Sequence, residues 1–126
     1  MALRGLPGTL DAVVKLVALY RRPRDPQAWL ARFMSEIEPG FRALPELLRF
    51  ELSQPEDVLA GSDRRGAPFL TAELYFADRA ALDRAMLARR DVMEELVESA
   101  GRDVSLFVAS VEVQEGQHGH EQRFER

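Results

Sequence analysis

Residues Phe33 to Phe50 read FMSEIEPGFRALPELLRF. Trp29, Leu30, Phe33, Met34 and Ile37 recur at three- and four-residue steps, the apolar stripe of an amphipathic helix. Pro39 and Gly40 read as its stop. After Leu44-Pro45 the pattern changes period. Leu48, Phe50 and Leu52 alternate with Arg49 and Glu51, which predicts a strand over 46–54. Glu36 and Glu38 precede the break. Neither shares the helical face of Ile37, and acidic groups at a helix C-terminus oppose its dipole, so both read as solvent-facing. A helix, a break and a strand thus form one unit around which the rest is placed.

Ahead of it, AVVKLVALY (Ala12–Tyr20) is short, apolar and partly β-branched, a strand covered on both faces. RRPRDP ends it, and Asp25 before Pro26 is a helix start: a side-chain acceptor, then a proline whose missing N–H is not needed. Behind it, PEDVLAGSDRRGAP is a polar loop and FLTAELYF (Phe69–Phe76) a third strand. Asp78 caps a helix to about Ala88 with Leu82, Ala85 and Met86 inward. Asp91 and Glu94 read as a capping box for another short helix ending near Gly101. VSLFVASVEV (Val104–Val113) is the fourth strand.

This order predicts an α+β fold, the ferredoxin-like split βαβ plan: a four-stranded antiparallel sheet in order 4-1-3-2 with helices on one face. Residues 1–11 read as a loose leader, 12–113 as the domain and 114–126 as a polar tail. Strands one and four are apolar on both sides. Val14, Leu16 and Ala18 oppose Val13, Val17 and Leu19, and Leu106 and Val108 oppose Phe107, Ala109 and Val111. Helices cover one face only, so a homodimer through the other sheet face is expected.

Composition narrows the function. A chain of 126 residues with net charge −4 has the size of one domain and no basic surface for a phosphate backbone. Nor does the acidic third strand carry the basic, aromatic signature of an RNA-binding sheet. No apolar run is long enough for a membrane, and the first residues carry Gly and Pro where an export signal needs an apolar core, so the expected location is cytoplasmic. There is no cysteine, no glycine-rich phosphate loop after a strand and no zinc-type cluster. His118 and His120 alone make a poor metal site. No cofactor is expected.

Several residues carry possible chemistry. Lys15, the sole lysine, lies in a central apolar strand. It is either a desolvated acid–base group, half of a cross-strand ion pair with Glu73, or one of a pair facing the dimer space. Tyr20 and Tyr75, the only tyrosines, offer hydroxyls on apolar rings near strand ends; each is either a core anchor or a ligand-orienting group.

VKLVALYRRPRD, the Trp29/Phe33 helix, EPGFRALPELLRF, AELYFAD and FVASVEV together resemble the EthD family. These are small proteins of the dimeric α/β-barrel superfamily, named for a member associated with ethyl tert-butyl ether degradation. The resemblance spans about residues 13–113. It implies a small-molecule enzyme, a cofactor-independent isomerase, cyclase or oxygenase acting on a small aromatic or lactone-like compound. It also implies an apolar pocket between sheet and helices, bordered here by Tyr20, Phe33, Ile37, Phe50 and Tyr75. Such proteins commonly carry W-x-x-x-H-x-P before L-P-G-L. Here Phe33 replaces the tryptophan, Ile37 the histidine and Glu46 the glycine, while Pro39 is kept. An imidazole moves protons near neutral pH and an isoleucine cannot. No general base can be assigned, and the alternative is a non-catalytic auxiliary protein that binds an apolar metabolite or a protein partner.

Overall fold

In a computed structural model, the residues described are 13–60, 67–100 and 104–112. The leader, the tail with His118 and His120, 61–66 of the long loop, 101–103 and Val113 lie outside them. The apolar run read over Ala12–Tyr20 becomes β1 (Val14–Tyr20). Asp25 then caps α1 (Pro26–Arg32), its carboxylate accepting from the Ala28 amide at 3.3 Å. The helix does not stop at Pro39-Gly40. A π-helical turn (Phe33–Ile37) leads straight into α2 (Glu38–Arg42). The Glu38 amide closes that turn on the Phe33 carbonyl, five residues back. Pro39 therefore stands in the first turn of the next helical segment, where a missing N–H costs nothing.

The stripe predicted for this helix holds except at Met34, which is 42% exposed. Glu36 is exposed as expected, but Glu38 is buried. The Arg42 guanidinium, one turn on, reaches its carboxylate at 2.8 Å and keeps the charge paired.

Glu46 has a φ of 65°, the left-handed region, at the place where the resembling motif carries glycine. Arg84 holds its carboxylate with two hydrogen bonds, at 2.7 and 2.6 Å. A glycine position is thus occupied by a clamped glutamate. The next strand, β2 (Leu47–Ser53), starts one residue later than predicted and contains a bulge between Leu47 and Arg49. The bulge puts Leu47 against the core and leaves Leu48 61% exposed, which corrects the face assigned to Leu48. Beyond it, Phe50 and Leu52 face inward as predicted.

β3 (Leu70–Phe76) follows, then α3 (Arg79–Ala88), capped by Asp78 through the Ala81 amide at 2.8 Å. The next helix, α4 (Arg90–Ala100), already contains Asp91, so the predicted capping box is not used. Asp91 pairs instead with Arg89, the residue at which the chain turns between the two helices. β4 (Val104–Ser110) closes the sheet.

The sheet order is β2-β3-β1-β4 with every neighbouring pair antiparallel, the ferredoxin-like arrangement predicted. Leu16, Ala18 and Tyr20 of β1 and Leu70, Ala72, Leu74 and Phe76 of β3 are buried against the helices. Paired Ala18 and Ala72 have no exposure at all. Small residues at the sheet centre let the helical layer approach closely.

Candidate functional site

The residues expected around one pocket lie on both sides of the sheet. Tyr20, Phe33, Phe50 and Ile37 are on the helix side. There, Phe69, Trp29, Phe33, Phe41 and Phe50 form a continuous row of ring contacts, with centroids 5.3–6.1 Å apart. Tyr20 packs against Trp29 and Phe33 at 5.2 and 5.4 Å. Tyr20 and Phe33 are buried within this row, which occupies the space between sheet and helices that the resemblance assigns to a pocket. The Tyr20 hydroxyl is buried with no hydrogen-bond partner, and burial pushes its pKa well above that of an ordinary phenol.

Ile37 is different. Beside it a cavity of about 150 Å³ opens between the π turn with α2 and the start of α4. Its floor is apolar: Ile37, Phe41, Val92 and Leu96. Glu36, Arg89, Asp91 and Glu95 form a charged rim. Gly40 stands at the point where the two helical segments nearly touch. A Cβ there would lie 3.2 Å from a Val92 methyl. Arg89 gives two hydrogen bonds to Asp91, both 3.0 Å, which holds the Asp91 carboxyl below its ordinary pKa and raises that of the guanidinium. Glu36 accepts from Arg32 at 3.0 Å. Glu95 has no hydrogen-bond or ion-pair partner among the described residues.

On the opposite face of the sheet, Tyr75 lies directly across from Lys15, and Glu73 sits diagonally, opposite Val17. The Lys15 ammonium still reaches Glu73, at 2.7 Å. Tyr75 places its hydroxyl 3.0 Å from Glu51 and 3.2 Å from Glu73, and having one proton it donates to one at a time. Arg49 completes the chain on Glu51 at 2.6 Å. The hydrogen bond to Glu73 outweighs desolvation and raises the Lys15 pKa. Desolvation and then the Glu51 carboxylate raise that of Tyr75. Hydrogen bonds from Arg49 and Tyr75 lower that of Glu51. Two cations and two carboxylates around one phenol make a charge-balanced network, a surface suited to contact rather than to a lone reactive base. Beside it are Val17, 4% exposed, and its pair Phe107, 46% exposed.

A third concavity, an open cleft of about 910 Å³, lies beyond the ends of β1 and β2, where the Arg22 guanidinium stands 5.6 Å over the Phe69 ring. Glu56 and Asp57 line it together with Arg21 and Arg22.

Of the residues expected at a pocket, Ile37 lines this cavity, and the sequence reading did not single out Gly40, Arg89, Asp91 or Glu95 for it. Proline beside Gly40 read as a stop, and Asp91 read as a cap. An arginine two residues before Asp91 at a helix boundary was the one available sign of their pairing. Among the described residues no cluster of metal-ligating side chains occurs and no helix is long and apolar enough to cross a membrane.

No protein-family model and no curated protein matches the chain. Solved structures do. An EthD family protein from Bacillus halodurans C-125 is 26% identical, with 79% of this chain and 99% of that one covered and a TM-score of 0.66. SnoaB, a cofactor-independent oxygenase from Streptomyces nogalater, is 15% identical, over 83% and 96%, with a TM-score of 0.53. A dimeric ferredoxin-like protein from Thermobifida fusca is 16% identical, over 79% and 92%, with a TM-score of 0.57. The last two share the fold.

Proposed function

We infer that this chain, being EthD-like in fold and sequence, is a small-molecule enzyme that acts on a small aromatic or lactone-like compound without a bound cofactor. The cavity at Ile37 carries the reading. It has an apolar floor against the core, a charged rim, and the place in the fold where the resembling motif puts its histidine. An isomerase, cyclase or oxygenase of this kind needs a pocket that desolvates its substrate and one group that takes a proton. With Ile37 unable to do so, Glu95 is the group at the rim with a free carboxylate. Arg89 is held by Asp91 through two hydrogen bonds, so the rim offers an acceptor rather than a free cation. A cofactor-independent oxygenase among proteins of the same fold is in keeping with this class of chemistry.

The working unit we propose is a homodimer closed through the open sheet face. The Lys15, Glu73, Tyr75, Glu51 and Arg49 network would then set the register of two sheets, and Phe107, 46% exposed, would supply the apolar contact. A dimeric protein of the same fold supports it.

Replacement of the imidazole by Ile37 favours a second reading, an auxiliary protein that binds the same class of compound without converting it. One experiment separates the two. Native mass spectrometry of the protein from its own host identifies a retained ligand, which is then incubated with fresh protein. Conversion of that compound supports the enzyme, and recovery unchanged supports the binder. If no small molecule is retained and none of a panel of aromatics and lactones binds, both fall.

A further inference from the structure

The two ends of the Ile37 cavity differ in chemistry, and together they select an occupant. The inference rests on that cavity being the ligand site. Size comes first. An apolar cavity of about 150 Å³ engineered in another protein takes up benzene, and this one has the same volume. Its enclosed part accommodates one six-membered ring, and the second ring of a fused system would stand out of the mouth. Its length is not adjustable by a small shift, because at Gly40 the α2 backbone already lies against the Val92 side chain, with 3.2 Å left for a Cβ. Gly40 and Val92 both line the space.

Polarity comes second. Three carboxylates and one guanidinium surround the mouth. Glu36 is engaged by Arg32, while Arg89 and Asp91 engage each other. What is left over is an acceptor, Glu95. A carboxylate on the ligand would meet that negative rim with the nearest cation already neutralised, whereas a hydroxyl or amino group would find a ready partner.

We propose that the cavity binds a single aromatic ring bearing a hydrogen-bond donor, a phenol or an aniline, with the ring on Ile37, Val92 and Leu96, the donor toward Glu95, and Gly40 and Val92 setting the size limit. Gly40 and Val92 are specificity residues in this arrangement and touch the ring's far edge. Glu95 chooses the substituent.

The test follows the methyl resonances of Ile37, Val92 and Leu96 during titration of the full chain with phenol, benzoate and 1-naphthol. Phenol is expected to shift them, with benzoate at least about tenfold weaker, a difference of about 1.4 kcal/mol. Glu95→Lys, on the surface, should reverse that order. Val92→Ala should admit 1-naphthol, and Gly40→Ala should weaken phenol binding with the methyl spectrum still dispersed. If 1-naphthol or benzoate binds the unaltered protein as well as phenol does, or the variants leave the order unchanged, the inference is overturned while the cavity stands as a site. If no ring moves these methyls, the cavity is not the ligand site and the functional reading fails with it.

Discussion

The two faces of the sheet are built on the same strands and end in opposite conditions. Toward the helices, Tyr20, Phe33, Leu74 and Phe76 are buried and the aromatic rings pack edge and face against one another. Toward the outside, alternate residues of the same strands present Lys15, Glu73 and Tyr75, half-covered and tied into a balanced charge network, beside a buried Val17 and an exposed Phe107. The finished face explains stability. The unfinished one explains why strands β1 and β4 are apolar on both sides. The proposed ligand site belongs to neither, since the cavity lies within the helical layer, where the π turn meets α4.

This contrast can be broken at several points. The largest effect is expected at Phe33→Ala, which empties the centre of the closed face and should cost about 3–5 kcal/mol in denaturant unfolding. A loss under about 1 kcal/mol would show that the row is not the core it looks to be. On the open face, Phe107→Arg should leave the fold intact and weaken dimerisation by about thirtyfold, seen by light scattering across a dilution series. An unaltered protein that is monomeric at micromolar concentration would remove the interface.

Tyr20→Phe sharpens the closed face. It deletes a buried hydroxyl without a partner, so stability should rise by about 1 kcal/mol. The pH dependence follows from the same burial. The phenol is held neutral in the folded chain and ionises in the unfolded one near its ordinary value of 10.0, so stability contributed by Tyr20 falls as pH rises above that value. The phenylalanine variant should lack this fall, and unfolding curves at pH 8 and about pH 11 compare the two. Tyr75→Phe, its counterpart on the open face, removes a shared hydrogen bond and should cost under about 1 kcal/mol in the monomer. The smallest effect is expected at Glu46→Gly. Relief of the left-handed backbone should outweigh loss of the exposed Arg84 pair, giving a slight rise in thermal midpoint.

Much of this was legible in the chain. The short apolar run to Tyr20, the Asp25-Pro26 and Asp78 caps, and the two-sided apolar strands are local patterns, and each sets an element or a face without reference to distant residues. They determine the element order, the sheet order that accommodates it, and the need for something to cover the second face. Tertiary structure decided the one-residue slips. The π turn carries the helix through Pro39-Gly40, the bulge turns Leu48 outward, Glu38 goes inside, and Arg89 takes Asp91 from its expected cap. A slip of one residue changes which side chain faces the core without changing the local pattern on either side of it. It is settled by what packs opposite, as Val92 does against Gly40. The stretch from Phe33 to Phe50 therefore announced a helix and a strand, while the cavity beside Ile37 came into being only when α4 was laid against it.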